Sequence, residues 1–255
     1  MKKRTLAKTV ISNVLYPVAA LAAVIAVWAI VAAAEDMPLL FPSLGEIFRS
    51  FGELLGDGKS WLVAASTLGR VLAAFALSTA FAIVLSAAGA FFPPLHRFLR
   101  PVVTVLQSTP TMAVIYLAIA WLTNAEVPLL VGFLICFPLM YNTCRTAIDG
   151  VDGELLEMAK VYKMRPVDRL TGIYIPAAFP IVADGARSAV SLCVKVIIAA
   201  EVLAQTKQSI GLEMNKLGSL FEVADLMGWT VVAIVLSFLL EGLVALVKKL
   251  WEVRR

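Results

Sequence analysis

Charge is scarce in this sequence. Of 255 residues only 16% are charged, while 60% are hydrophobic. A soluble domain of this size carries about 25% charged residues and roughly 45–50% apolar ones, so the composition excludes an ordinary soluble fold. Histidine is nearly absent: His96 stands alone, which excludes a histidine-rich metal site. The three cysteines, Cys136, Cys144 and Cys193, have neither zinc-ligand nor redox-pair spacing. They sit in or beside apolar runs and read as small buried hydrophobes. A phosphate-binding loop is also lacking. Gly58-Lys59-Ser60 resembles the end of one, but position 53 is Glu where Gly is required and no strand precedes it, so it reads as a glycine turn ending a helix. The net charge of +4 gives no nucleic-acid signal, because the bases cluster at the edges of apolar runs.

What the chain does have is long apolar runs. They predict an all-α integral membrane protein with about six transmembrane helices, near residues 10–34, 68–92, 102–122, 129–146, 173–204 and 228–247. The first run is long for a signal-peptide core and reads as a span, with Pro17 tolerated in its first turns. Between it and the second run, Phe41, Leu44, Ile47, Phe48, Phe51 and Leu55 recur at helical spacing behind Ser43, a helix N-cap. This predicts an amphipathic helix on the membrane surface or against the bundle. Six spans put both termini on one side. Fifteen Lys and Arg fall on that side, from Lys2, Lys3, Arg4 and Lys8 to Arg254 and Arg255, against four (Arg49, Lys59, Lys207, Lys216) on the other. The bias predicts cytoplasmic termini.

One cytoplasmic interruption stands out, residues 150–176. Asp152, Glu154, Glu157, Lys160 and Lys163 are interleaved with Val151, Leu155, Met158, Ala159 and Tyr162 at helical spacing. A lipid-bound surface helix usually carries a strongly basic polar face. Here acids precede bases, so the apolar face is read as docking into a protein groove, with Glu154, Glu157 and Lys160 as rim charges.

Polar residues inside the spans are candidates for a path. Gln107, Ser108, Thr109 and Thr111 flank Pro110 in the third run and either wet a cavity or satisfy freed backbone groups. The fifth run holds Asp184, Arg187, Ser188, Ser191, Lys195 and Glu201. Asp184 and Arg187, three apart, either pair with each other or line the path. Lys195 has no acid at helical spacing. It either attracts an anion or pairs with an acid on another helix. Glu241 reads as structural.

The stretch from Glu157 resembles the cytoplasmic signature of ABC importer permeases, Glu-Ala-Ala, three residues, Gly, nine residues, Ile, one residue, Leu-Pro. Here it stands as Glu157-Met158-Ala159, Lys163, Ile173, Ile175 and Pro176. The words LLEMAKVY, IPAAFPIVADGARSAV, FPSLGEIF, Pro110-Thr111-Met112-Ala113 and Ala200-Glu201 are similar to the nitrate/sulfonate/taurine-type branch. The resemblance covers almost the whole chain. It implies a type I importer permease of a single domain, residues 1–255, with a core near 62–250 and an extra N-terminal span.

It further implies a multi-pass protein of the bacterial cytoplasmic membrane, contacting lipid, paired with a second copy of the permease, a cytoplasmic pair of ABC ATPases and an extracytoplasmic solute-binding protein. ATP is bound by the partner ATPase; the permease itself carries no cofactor and no catalytic residue. Glu154, Leu155, Glu157, Met158, Ala159, Tyr162, Lys163 and Pro176 are the expected ATPase-coupling residues. The solute is a small anion or a vitamin precursor. The chain departs from the signature at Met158 and at Lys163, where the signature Gly takes a positive φ. Either Lys163 stays helical and the turn shifts toward residues 164–165, or Lys163 bears the strain. A permease of the methionine type, a secondary transporter and an intramembrane lipid-modifying enzyme are the alternatives. The second needs internal repeats, and none is convincing; the third needs two downstream aspartates for metal, whereas Asp225 alone follows Asp184, in a loop on the other side.

Overall fold

The computed structural model describes residues 2–34, 37 and 39–253, with side chains from residue 15 onward except residue 17. The basic side chains of Lys2, Lys3, Arg4, Lys8, Arg254 and Arg255, and Pro17, lie outside the described residues. All described elements are helices: α1 (Lys2–Ala34), α2 (Leu44–Gly56), α3 (Gly58–Phe91), α4 (Pro93–Ser108), α5 (Thr111–Trp121), α6 (Val127–Asp149), α7 (Gly153–Val161), α8 (Pro166–Arg169), a π-helical segment (Leu170–Tyr174), α9 (Ile175–Ala204), α10 (Ile210–Ser219) and α11 (Val223–Val253).

Among the described residues, three helices, α3, α6 and α11, are long and apolar enough to cross a membrane. The third apolar run is not one straight span. It divides into α4 and α5, bent by 97°. Pro110 supplies no N–H and disfavours helix at Thr109. Thr109 N–H makes the last bond of α4 to the carbonyl of Val105 at 3.0 Å, and the hydroxyls of Ser108 and Thr109 turn back to the same carbonyl at 3.1 and 2.7 Å. α9 has 30 residues, about 45 Å of helix, and carries the charged positions that interrupt its apolar face. The apolar part of α1, Val18–Ala34, meets the rest of the chain through Trp28, whose indole N–H donates to the Pro42 carbonyl at 3.2 Å.

The core is the packing of α3, α6 and α9 on one another, with α11 against α9. Many of its residues are small: Ala74, Ala82, Ala186, Ala189, Cys136 and Cys193 are buried alongside Tyr141, Met140 and Ile197, and the small ones let backbones approach closely where apolar surface gives no driving force against lipid. Gly185 shows how closely. A Cβ there would lie 2.2 Å from Cγ2 of Thr143 on α6. The cysteines are free and buried, as their surroundings in sequence implied.

The ends of the bundle follow local signals. Ser43 caps α2 in a full capping box with Glu46. Asp57 caps α3 by accepting from Lys59 and Ser60, and the Ser60 hydroxyl and those amides hold its carboxyl below the usual range. Gly58-Lys59-Ser60 therefore begins a helix rather than ending one, correcting the glycine-turn reading. α2 packs along α11, its Ser50 beside Gly228.

Candidate functional site

Three groups of residues at different heights of the bundle carry the functional features. The first is α7, at the end where α6 stops. Asp152 caps it by accepting from Glu154 N–H at 2.9 Å. Its C-terminus closes in a Schellman turn: Met164 N–H donates to the Ala159 carbonyl at 2.9 Å and Lys163 N–H to the Lys160 carbonyl at 3.0 Å. Lys163 occupies the left-handed position of that turn, φ 49°. The strain is borne at Lys163, and the turn does not shift. A lysine there costs about 1–2 kcal/mol relative to glycine.

The apolar face of α7 is split, which corrects the single docking face drawn from periodicity. Val151 and Ala159 are buried against Ile173, with Leu156, Met164 and Tyr174 packed around them. Ala159 is 0% exposed, so it positions α7 on its own chain and cannot meet a partner. Leu155, Met158 and Tyr162 point outward, and so does Val161, 78% exposed, which the sequence reading passed over. Glu154, Glu157, Lys160 and Lys163 are exposed around them. Pro176 is partly buried in the first turn of α9 and starts that helix. Val161 was legible in principle as an apolar residue beside the motif, but it falls off the counted stripe.

The second group is a pair of joined cavities along α9 and α11. One, of about 500 Å³, is lined by Asp184, Arg187, Ser188, Ser191, Lys195 and Glu241. The other, of about 780 Å³, shares Ser191, Lys195 and Glu241 and continues along apolar residues such as Val202, Met214 and Phe238. Asp184 does not pair with Arg187. It accepts both its short contacts from Lys248 Nζ of α11, at 2.7 Å. This leaves Arg187 and Lys195 without a carboxylate partner among the described residues. Ser191 and Ser237 hydroxyls meet at 3.0 Å across the helix pair. Glu241, read as structural from sequence, lines both cavities. Gln107, Ser108, Thr109 and Thr111 line neither. Met112, one residue on, lines the apolar one.

The third group removes Glu201 from the cavities. Its carboxylate is 0% exposed and accepts from Arg70 Nη1 at 2.8 Å, Thr67 Oγ1 at 3.0 Å and Gly211 N–H at 3.2 Å. Thr67 in turn accepts from Ile210 N–H at 3.0 Å. A carboxylate this buried needs such a set of donors. Glu201 ties α9 to α3 and to the start of α10, and it is structural rather than path-lining.

With this geometry in hand, comparison with known proteins gives a consistent family. Residues 78–250 match the model of the binding-protein-dependent transport system inner membrane component family. The taurine transport system permease protein of Escherichia coli is 23% identical over 90% of this chain and 86% of that protein. The nitrate import permease protein of Synechococcus elongatus is 28% identical over 61% of this chain and 55% of its own length. In fold, the chain resembles the inward-facing MetNI methionine ABC transporter, with TM-score 0.60, 14% identity, and 74% of this chain and 92% of that one covered.

Proposed function

The chain belongs to the family of binding-protein-dependent transport system inner membrane components and is an ABC importer permease; from this premise we propose that it moves a small anion inward, driven by a separate ATPase seated on α7. The observation that carries the substrate reading is the cavity beside α9, where Arg187 and Lys195 stand without a carboxylate partner among the described residues. With Asp184 held by Lys248, the two cations face the cavity against the single carboxylate of Glu241, and the one positive charge in excess favours an anion over a cation. A relative named for nitrate import supports the same class, and one named for taurine transport supports a sulfonate group on the solute, taurine itself being a zwitterion; an alkylsulfonate, nitrate or bicarbonate fits, as does an anionic vitamin precursor.

The α7 end lies in the cytoplasm on this reading. Arg97, Arg100, Arg145, Lys160, Lys163, Arg165, Arg169, Lys248 and Lys249 gather there, against Arg49, Lys59, Lys207 and Lys216 at the α10 end. The termini are cytoplasmic with it. Leu155, Met158, Val161 and Tyr162 fill a groove on the ATPase, while Glu154, Glu157, Lys160 and Lys163 fix the register around them. The cavities open on the side of α9, and a second copy of the permease encloses them. An extracytoplasmic binding protein supplies the solute at the α10 end. When the ATPases close on ATP, they carry α7, and α9 with it, between two access states.

Lys195→Met is the test of the path. In proteoliposomes with the ATPase and binding protein, ATP-driven uptake of the anion falls at least tenfold. Uptake equal to wild type would remove Lys195 from the path and leave the anion reading without its main support.

A further inference from the structure

The corner where α3 gives way to α4 combines free positive charge with exposed apolar surface. Its depth in the bilayer follows from the sequence. From residue 71 to residue 92 no charged residue occurs. That is about 33 Å of helix, matching the ~30 Å hydrocarbon core of a bilayer. Arg70, paired with Glu201, marks one edge of the core. The corner, residues 91–100, therefore stands at the other edge, in the headgroup layer on the α7 side.

Two kinds of side chain are exposed there. Arg97 and Arg100 lie one turn apart on α4 and share a face. Neither makes an ion pair or a side-chain hydrogen bond among the described residues. Beside them Phe91, Phe92 and Phe98 are exposed, and Val105 continues the apolar stripe along α4. The other side of α4 is fixed to the bundle. Leu99, Val103 and Leu106 belong to the cluster of Phe137, Met140 and Tyr141 on α6. His96 Nδ1 meets the Tyr141 hydroxyl at 3.0 Å. The start of α4 lies so near α3 that a Cβ at Gly89 would stand 3.3 Å from the His96 Cβ. The arginines are thus presented on a backbone that is already ordered, and binding there loses little entropy.

Two guanidinium groups on one helix face match a phosphate, whose oxygens accept from both forks. A carboxylate on a cytoplasmic protein would answer the charge but not the apolar stripe beside it. A phospholipid answers both, with its phosphate on the arginines and its acyl chains along the phenylalanines. A headgroup that carries its own ammonium sets a cation against the arginines, so an anionic lipid is favoured over a zwitterionic one.

We propose that the α3–α4 corner is a binding site for an anionic phospholipid of the cytoplasmic leaflet. Arg97 and Arg100 hold its phosphate, and Phe91, Phe98 and Val105 line its acyl chains. The proposal rests on the membrane placement of the chain and is independent of which solute is carried.

The test uses the full transporter with its ATPase in phosphatidylcholine nanodiscs. Val105→Cys carries a bimane label, while the three native cysteines are buried and stay unlabelled. Brominated phosphatidylglycerol or brominated phosphatidylcholine is then added, and quenching is followed against mole fraction. Phosphatidylglycerol reaches half-quenching at a mole fraction about tenfold lower than phosphatidylcholine. Arg97→Gln with Arg100→Gln, both exposed and harmless to the fold, brings that ratio to about one. Lysine at both positions keeps a preference of about threefold, because charge is retained and the fork is lost. Excess glycerol 3-phosphate leaves the wild-type ratio unchanged. Equal quenching by the two lipids in wild type overturns the proposal, as does a preference that survives the double glutamine variant. A preference abolished by glycerol 3-phosphate assigns the arginines to a free phosphate and overturns the lipid site. Quenching by both lipids that appears only when the ATPase is left out assigns the corner to a protein contact, and overturns it too.

Discussion

The two ends of α9 are built to opposite plans. At the α10 end, Glu201 is wholly buried, paired with Arg70, and bonded to Thr67 and to the backbone of Gly211. At the α7 end, α9 is entered through a π-helical segment, and the buried cluster around it is small, made of Val151, Ala159 and Ile173. The exposed charges of α7 have no ion-pair partners among the described residues, and its closing turn holds a lysine in a glycine conformation. Buried, fully donated polar groups give an end a single arrangement. A thin apolar cluster with exposed neighbours belongs to the low end of local stability, from which moving elements are drawn. One end of the helix is an anchor, and the other is free to follow what binds it.

The comparison breaks most visibly at the anchor. Glu201→Ala leaves Arg70 without its counter-charge and strips acceptors from Thr67 and Gly211. A loss of about 3–5 kcal/mol is expected, read by denaturation of the purified protein in detergent. Gly211→Ala comes next. Its Cβ would stand 2.4 Å from Glu201 Cβ and 2.6 Å from the Val202 nitrogen, and since the latter is backbone, the overpacking costs about 1–3 kcal/mol in the same assay. At the other end the sign reverses. Lys163→Gly keeps φ 49° without a Cβ, and unfolding should show a gain of about 1 kcal/mol. A loss on Lys163→Gly would mean that the lysine side chain stabilises the turn by more than its strain.

Much of this was legible before any coordinates. Uninterrupted apolar runs located α3, α6 and α11. Ser43 marked the start of α2, and the charged amphipathic stretch after Gly150 located α7, though whether its turn fell at Lys163 or just beyond stayed open. What stayed hidden depends on residues far apart in the chain. Glu201 and Asp184 look alike as acids in an apolar run, but one finds Arg70, 131 residues away, and the other Lys248, 64 residues away. Neither partner follows from helical spacing, so path and ion pair could not be separated. The bend at Pro110 was masked by apolarity on both sides of the proline. For α7, periodicity found an apolar stripe but not which half of it the chain itself would cover. Burial of Ala159 against Ile173 decides that, and it needs the turn at Lys163 in place.

The most direct test of α7 as the receiving end is Met158→Asp with Tyr162→Asp in the full transporter. Both side chains are exposed, so stability should change by no more than about 0.5 kcal/mol. The account predicts that the ATPase no longer co-purifies with the permease and that ATP-driven uptake is lost. An ATPase that stays bound, with uptake at the wild-type rate, would contradict it.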